Sequence, residues 1–326
     1  MFKRATPIDQ FERFSDLPVR KIASISAARR VAVHVSGDLT AGPPLVCLPG
    51  YVRNMLDFSA LYSGVGRYGA KERAVVLIDL AGRGRSDWLP KTERYVSLRD
   101  AEDVLAVLAV LGITRAHLLG QGHGGQVALL VARRRPSVLA GTILVDSGPL
   151  SDPQSLVRMR NNHDYVCKIR GAPGARRAFR RVLSTDYPGE PEAHLEMLAE
   201  RVYWLDRREN VRTLFDPRLI AQLADFDFDD VLDPQWALFR ALSHAPLMLM
   251  RTQFTDQVRR ATFEEMMRLR PDATRHEVPG QGSPALFEDI ETLVALAKFL
   301  DQADALGTPG RQVPRPGDTS AISSSS

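Results

Sequence analysis

The feature that most constrains this chain is an alternation of short apolar runs with longer amphipathic stretches. The runs Leu45–Leu48, Ala74–Ile78, Ala116–Leu119, Thr142–Val145 and Leu247–Met250 are brief and mostly apolar, the pattern of strands covered on both faces, and a last short strand is expected at Thr274–Val278. Two earlier segments, Val19–Ile25 and Val31–Val35, alternate more and predict an antiparallel edge. Helices are expected at Asp57–Arg67, behind Asn54, and at Leu98–Leu111, His123–Arg134, Val258–Arg270 and Leu286–Leu300. Leu98–Leu111 places apolar residues at 101, 104, 105, 108 and 111 and closes at Gly112, which is helical spacing with a glycine stop. Strands that alternate with helices predict a parallel sheet with helices on both faces.

Residues 150–240 break the alternation. They open on Ser151-Asp152-Pro153, are rich in arginine and then in aspartate, and contain no good strand. The expected division is an N-terminal extension (1–18), an α/β core (19–149 and 241–304), a helical cap insertion (150–240) and a disordered tail (305–326) rich in Pro, Gly and Ser. With 326 residues, 44% hydrophobic and 25% charged, the chain can build a sizeable core. No run of 18 apolar residues exists, which excludes a spanning helix. The N-terminus has no apolar segment of the secretory kind. A net charge of +4 without interleaved basic and aromatic residues gives no nucleic-acid surface. Cys47 and Cys167 are too few for a disulfide framework or a four-thiolate metal site, so a reducing cytoplasm is expected, with Cys47 a small buried residue.

Four motifs fall in order along this framework. Leu48-Pro49-Gly50-Tyr51 follows the third strand and Asp79-Leu80-Ala81-Gly82-Arg83-Gly84-Arg85-Ser86 the fourth. Gly120-Gln121-Gly122-His123-Gly124-Gly125 joins the fifth strand to its helix, and Pro279-Gly280-Gln281-Gly282-Ser283 follows the last strand. Over residues 20–302 this layout resembles the α/β-hydrolase superfamily, in its esterase, lactonase and haloperoxidase-like branch. The resemblance implies a three-layer α/β/α sandwich on a mostly parallel eight-stranded sheet, a helical cap after the sixth strand, and Ser–His–Asp chemistry on ester, lactone or C–C bonds with no metal and no organic cofactor.

That chemistry needs a serine in a G-x-S-x-G elbow, a histidine on a late loop, a carboxylate to orient it and two backbone N–H groups for the oxyanion. Here the nucleophile position holds Gly122 and the base position holds Ser283. Asp256 stands at the family's acid position, with Asp146 an alternative acid. The oxyanion donors implied are the N–H groups of Tyr51 and His123. Loss of a nucleophile or base costs about 10⁶ in rate, so the expectation is a non-hydrolytic pseudoenzyme that binds a small carbonyl or carboxylate ligand between core and cap. A hydrolase with a non-standard residue set is the alternative. A second alternative is a dinucleotide site, because Gly120, Gly122 and Gly125 also spell G-x-G-x-x-G, with Asp146 placed for a ribose. His276 reads as a strand residue, and His163, His194 and His244 have no metal-ligand spacing.

Overall fold

The computed structural model describes residues 11–24 and 29–307. Eight strands form one sheet: β1 (Arg20–Ala23), β2 (Arg30–Ser36), β3 (Leu45–Leu48), β4 (Val75–Asp79), β5 (Ala116–Gln121), β6 (Leu139–Val145), β9 (Leu247–Thr252) and β10 (Thr274–Val278). Their order is β1-β2-β4-β3-β5-β6-β9-β10. β2 pairs antiparallel with both β1 and β4, and every other pair is parallel. The alternating segments at the start of the chain thus form the antiparallel edge that their pattern predicts. Ile25, the last residue of the first expected strand, lies outside the described residues.

Successive residues of a strand face opposite sides of a sheet, and two apolar layers result. Val46, Leu48, Val76, Ile78, Leu118, Leu144 and Leu249 join a core with α2 (Ser97–Val110), α3 (His123–Arg134) and α9 (Arg260–Leu269). Leu45, Cys47, Val75, Leu77, Leu119, Ile143, Val145 and Met250 join a second core with α1 (Ser59–Tyr68) and α10 (Ile290–Gly307). The result is the three-layer sandwich. α1 and α10 meet where Gly64 faces Leu293, with no room for a Cβ between them. No described helix is long and apolar enough to cross a membrane.

Three expectations need correction. The last helix begins at Ile290, not Leu286, because Phe287 has φ 56°, outside the right-handed helical region, and the Asp289 carboxylate then accepts from the Thr292 N–H at 2.7 Å. This helix runs to Gly307, three residues into the expected tail, whose remainder lies outside the described residues. Of the expected N-terminal extension, Phe14 and Leu17 are buried in the second core, and residues 1–10 lie outside the described residues.

The stretch between β6 and β9 carries α4 (Pro153–Lys168), α5 (Ala172–Leu183), α6 (Glu192–Glu200), α7 (Arg218–Ala221) and α8 (Trp236–Arg240). Against the expectation of no strand, it also holds an antiparallel hairpin, β7 (Tyr203–Leu205) with β8 (Val211–Thr213). The Asp206 carboxylate closes its turn by accepting from the N–H groups of Arg208 at 2.9 Å and Asn210 at 3.0 Å. The chain after β8 is stitched to the loop after β4. Gly84 N–H donates to Leu214 O at 2.7 Å and Asp216 N–H to Gly82 O at 2.8 Å. Val202, Phe215, Leu219 and Leu223 pack there on Val52, Ala81, Leu89 and Tyr95.

Candidate functional site

β5 ends at Gln121 and α3 begins at His123, so the turn between them is one residue, Gly122, with φ 48° and ψ −113°. That backbone is strained for any L side chain and open to glycine. Its N–H donates to Val145 O at 2.9 Å, and its carbonyl accepts from Gly125 N–H at 3.0 Å and Ser147 Oγ at 2.7 Å. The first turn of α3 presses on the loop after β3: a Cβ on Gly124 would overlap the carbonyl of Leu48. The loop that carries Tyr51 is therefore seated against the elbow. Among the described residues, no acceptor takes the backbone N–H of Tyr51 or of His123.

A Cβ on Gly122 would overlap Oε1 of Gln257. The amide of Gln257, on the loop between β9 and α9, thus lies over the Cα of Gly122.

Ser283 is buried and donates to Asp146 Oδ2, while its Oγ lies 2.8 Å from Thr255 Oγ1. Asp146 also accepts from Thr252 N–H and Thr252 Oγ1, each at 2.8 Å. Burial pushes its carboxyl above the usual range against these hydrogen bonds. The structure therefore joins Ser283 to Asp146 and not to Asp256. Nor is Asp256 an acid without a partner: it pairs with Arg158 of α4, whose Nη1 is also 2.9 Å from Asp186. Burial raises the Asp186 carboxyl to about 6, with Arg158 acting in the opposite sense.

His123 turns from the elbow toward α2. Its Nε2 is 2.8 Å from Asp100 Oδ2, and its ring meets Tyr51 edge-on with centroids 5.4 Å apart. Arg83 Nη1 is 3.2 Å from the same Asp100 oxygen, and the two side chains are only 1% and 3% exposed. Arg83 Nε also donates to Tyr51 O at 2.8 Å. One guanidinium thus fixes both the carboxylate behind His123 and the backbone of the Tyr51 loop. Burial pushes Asp100 up, but Arg83 and His123 outweigh it and leave the carboxyl below its usual range. Burial also lowers His123, Asp100 notwithstanding.

Tyr51, Gly122, His123, Asp146, Asp256 and Ser283 all line one cavity of about 570 Å³, which Leu156, Met159 and Phe226 bound on the side of residues 150–240. Other predicted candidates lie elsewhere. His276 hydrogen-bonds Thr292 Oγ1 at 2.9 Å from its place in β10. His163 lies beside Cys167, and His194 pairs with Glu190. No cluster of three metal-ligating side chains occurs among the described residues. The G-x-G-x-x-G spacing answers to packing: Cβ atoms on Gly120 and Gly125 would overlap Gly124 and Ser147. Asp146, the acid for a ribose, is engaged with Thr252 and Ser283.

Sequence reasoning missed Arg83 as more than a motif residue, and missed Asp100 and Gln257 altogether. Arg83 carried a signal, a large cation between two glycines. Asp100 and Gln257 carried none, since each reaches the elbow only through tertiary packing.

A sequence profile described as the alpha/beta hydrolase family matches residues 45–296. The chain is 24% identical over 285 residues to a 3-hydroxybutyrate-oligomer hydrolase of Cupriavidus necator, covering 86% of this chain and 96% of that protein. It is 30% identical over 116 residues to a 2-hydroxy-6-oxononadienedioate/2-hydroxy-6-oxononatrienedioate hydrolase of Burkholderia vietnamiensis, spanning 36% of this chain and 40% of that one. Among solved structures, an alpha/beta hydrolase from Novosphingobium aromaticivorans superposes with a TM-score of 0.75 at 27% identity, over 88% of this chain and 98% of the other.

Proposed function

Because this chain belongs to the alpha/beta hydrolase family, we propose that its cavity binds a small carbonyl or carboxylate compound without forming an acyl-enzyme. The observation that carries this reading is the elbow itself. A Cβ on residue 122 would overlap Gln257 Oε1, and Ser283, at the base position that the family resemblance implies, is held by Asp146. Neither Asp146 nor Asp256 has an imidazole as a partner among the described residues. Without nucleophile and base, an oxyanion hole and binding alone supply about 10³–10⁴ over the reaction in water, far below a working serine hydrolase. The N–H groups of Tyr51 and His123 remain available, and a pair of such donors also accommodates a ground-state carbonyl or carboxylate oxygen, more weakly than a transition-state oxyanion. The helices of residues 150–240 act as a cap that closes the cavity over these donors. The oligomers of 3-hydroxybutyrate named for one relative offer both carbonyl and carboxylate groups and are the first ligands to try.

The test pairs p-nitrophenyl butyrate with a fluorophosphonate probe. The expected result is no covalent adduct by intact mass and no ester cleavage that depends on a side chain of the protein. Enzyme-like cleavage that Ser283→Ala abolishes, or an adduct on any serine of the cavity, overturns the reading.

A further inference from the structure

Hydrolysis through an acyl-enzyme needs a nucleophile, a base and an oxyanion hole. Removal of a proton from the carbon next to a carbonyl needs only the last two. The cavity holds both. His123 lines it, and the Nε2 of its ring faces Asp100 at 2.8 Å. A carboxylate on one ring nitrogen fixes the proton there and leaves the lone pair on the other. The Nδ1 has no partner among the described residues, and the ring stands on the residue whose own N–H is a hole donor. The partner donor, Tyr51, is tied through Arg83 to the same Asp100, so base and hole share one buried support. Arg94 adds a binding element. The residue lines the cavity and is exposed, with no carboxylate partner among the described residues.

We propose that His123 is a catalytic base for enolisation of a small 2-oxo acid, with Asp100 its positioning residue. This rests on the reading of the cavity as a non-covalent carbonyl site. The ketone oxygen accepts from the N–H groups of Tyr51 and His123, and the carboxylate pairs with Arg94. Nδ1 takes a proton from C3, and the C–H electron pair becomes the C2–C3 double bond. The carbonyl electrons move to oxygen, where the two N–H groups hold the enolate. Return of a proton from Nδ1 to C3 restores the ketone, so the cycle consumes nothing and exchanges hydrogen with solvent.

The experiment follows 2-oxobutyrate in D₂O by proton NMR, with binding measured by calorimetry in parallel. The full chain is expected to bind the acid and to speed loss of the C3 methylene signal at least tenfold over His123→Gln protein. Failure to bind, or equal exchange by the two proteins, overturns the proposal. The unmodified protein supplies a second readout that does not depend on the variant folding. The groups that face His123 are Asp100 of α2, Arg83 of the loop after β4 and the Tyr51 ring. Since burial lowers the imidazole from its ordinary 6.5, exchange should rise with pH and level off at or below that value. A rate still climbing at pH 9 overturns the proposal. Asp100→Asn should displace this profile while 2-oxobutyrate still binds, and an unmoved profile would remove Asp100 from its role. A fluorophosphonate adduct in the same preparation would instead sink the non-covalent reading, whatever the exchange shows.

Discussion

A side chain held at φ 48° and ψ −113° stores about 1–3 kcal/mol of backbone strain, and Gly122 avoids nearly all of it. The elbow is thus kept in shape by hydrogen bonds to Val145 and Ser147. Gly122→Ser should lower stability by about 1–2 kcal/mol in urea unfolding, because the new Cβ is strained and displaces the Gln257 amide. It should restore no esterase activity, since Ser283 offers no imidazole. A stable variant that cleaves p-nitrophenyl butyrate would contradict both halves. The one-residue turn at Gly122 was legible in the sequence, because the surrounding glycines mark it. Its covering was not: Gln257 comes from a loop on another strand, and no local pattern encodes a contact made only once the sheet has assembled. The same holds for Asp100, which looks like one more polar residue of an amphipathic helix until α2 packs beside α3.

Among the elements, burial explains some of what was legible. β3 is buried at every position, and an unbroken apolar run announces such a strand, whereas Gly141 and Thr142 interrupt the equally buried β6 and left its first three residues unread. The hairpin of β7 and β8 went unread because each strand has three residues and the turn between them is wholly polar. The start of α10 was misplaced because its apolar pattern reaches back through Phe287, whose positive φ interrupts the helix in a way that periodicity does not register. Leu293, 6% exposed, fills the space that Gly64 leaves on α1. Leu293→Ala should cost about 2–5 kcal/mol, the range for a buried leucine whose cavity cannot collapse, and a loss below 1 kcal/mol in urea would show that α1 and α10 close up after it.

Over the whole molecule, Arg158 joins the inserted helices to the sheet by holding Asp186 and Asp256 together. Asp186 titrates near 6 in the folded chain against an ordinary 3.8. The folded state therefore holds this proton more tightly than the unfolded state. Its contribution to stability is complete below pH 3.8 and is lost as pH rises through 6, by an amount on the order of 2–3 kcal/mol. Asparagine imitates the protonated acid. The stability of Asp186→Asn relative to the unmodified protein should therefore grow between pH 4 and pH 7, and a difference that stays flat or shrinks over that range would show that Arg158 stabilises the carboxylate more than burial penalises it.

The main-chain bonds from Gly84 to Leu214 and from Asp216 to Gly82 have a mechanical consequence. Side-chain bridges such as that of Arg158 can part and re-form one at a time, but these two belong to a short run of paired backbone and yield together. A ligand that enters the cavity therefore meets, on the side of Arg83 and Phe215, a rim held by paired main chain rather than by side chains that can swing aside.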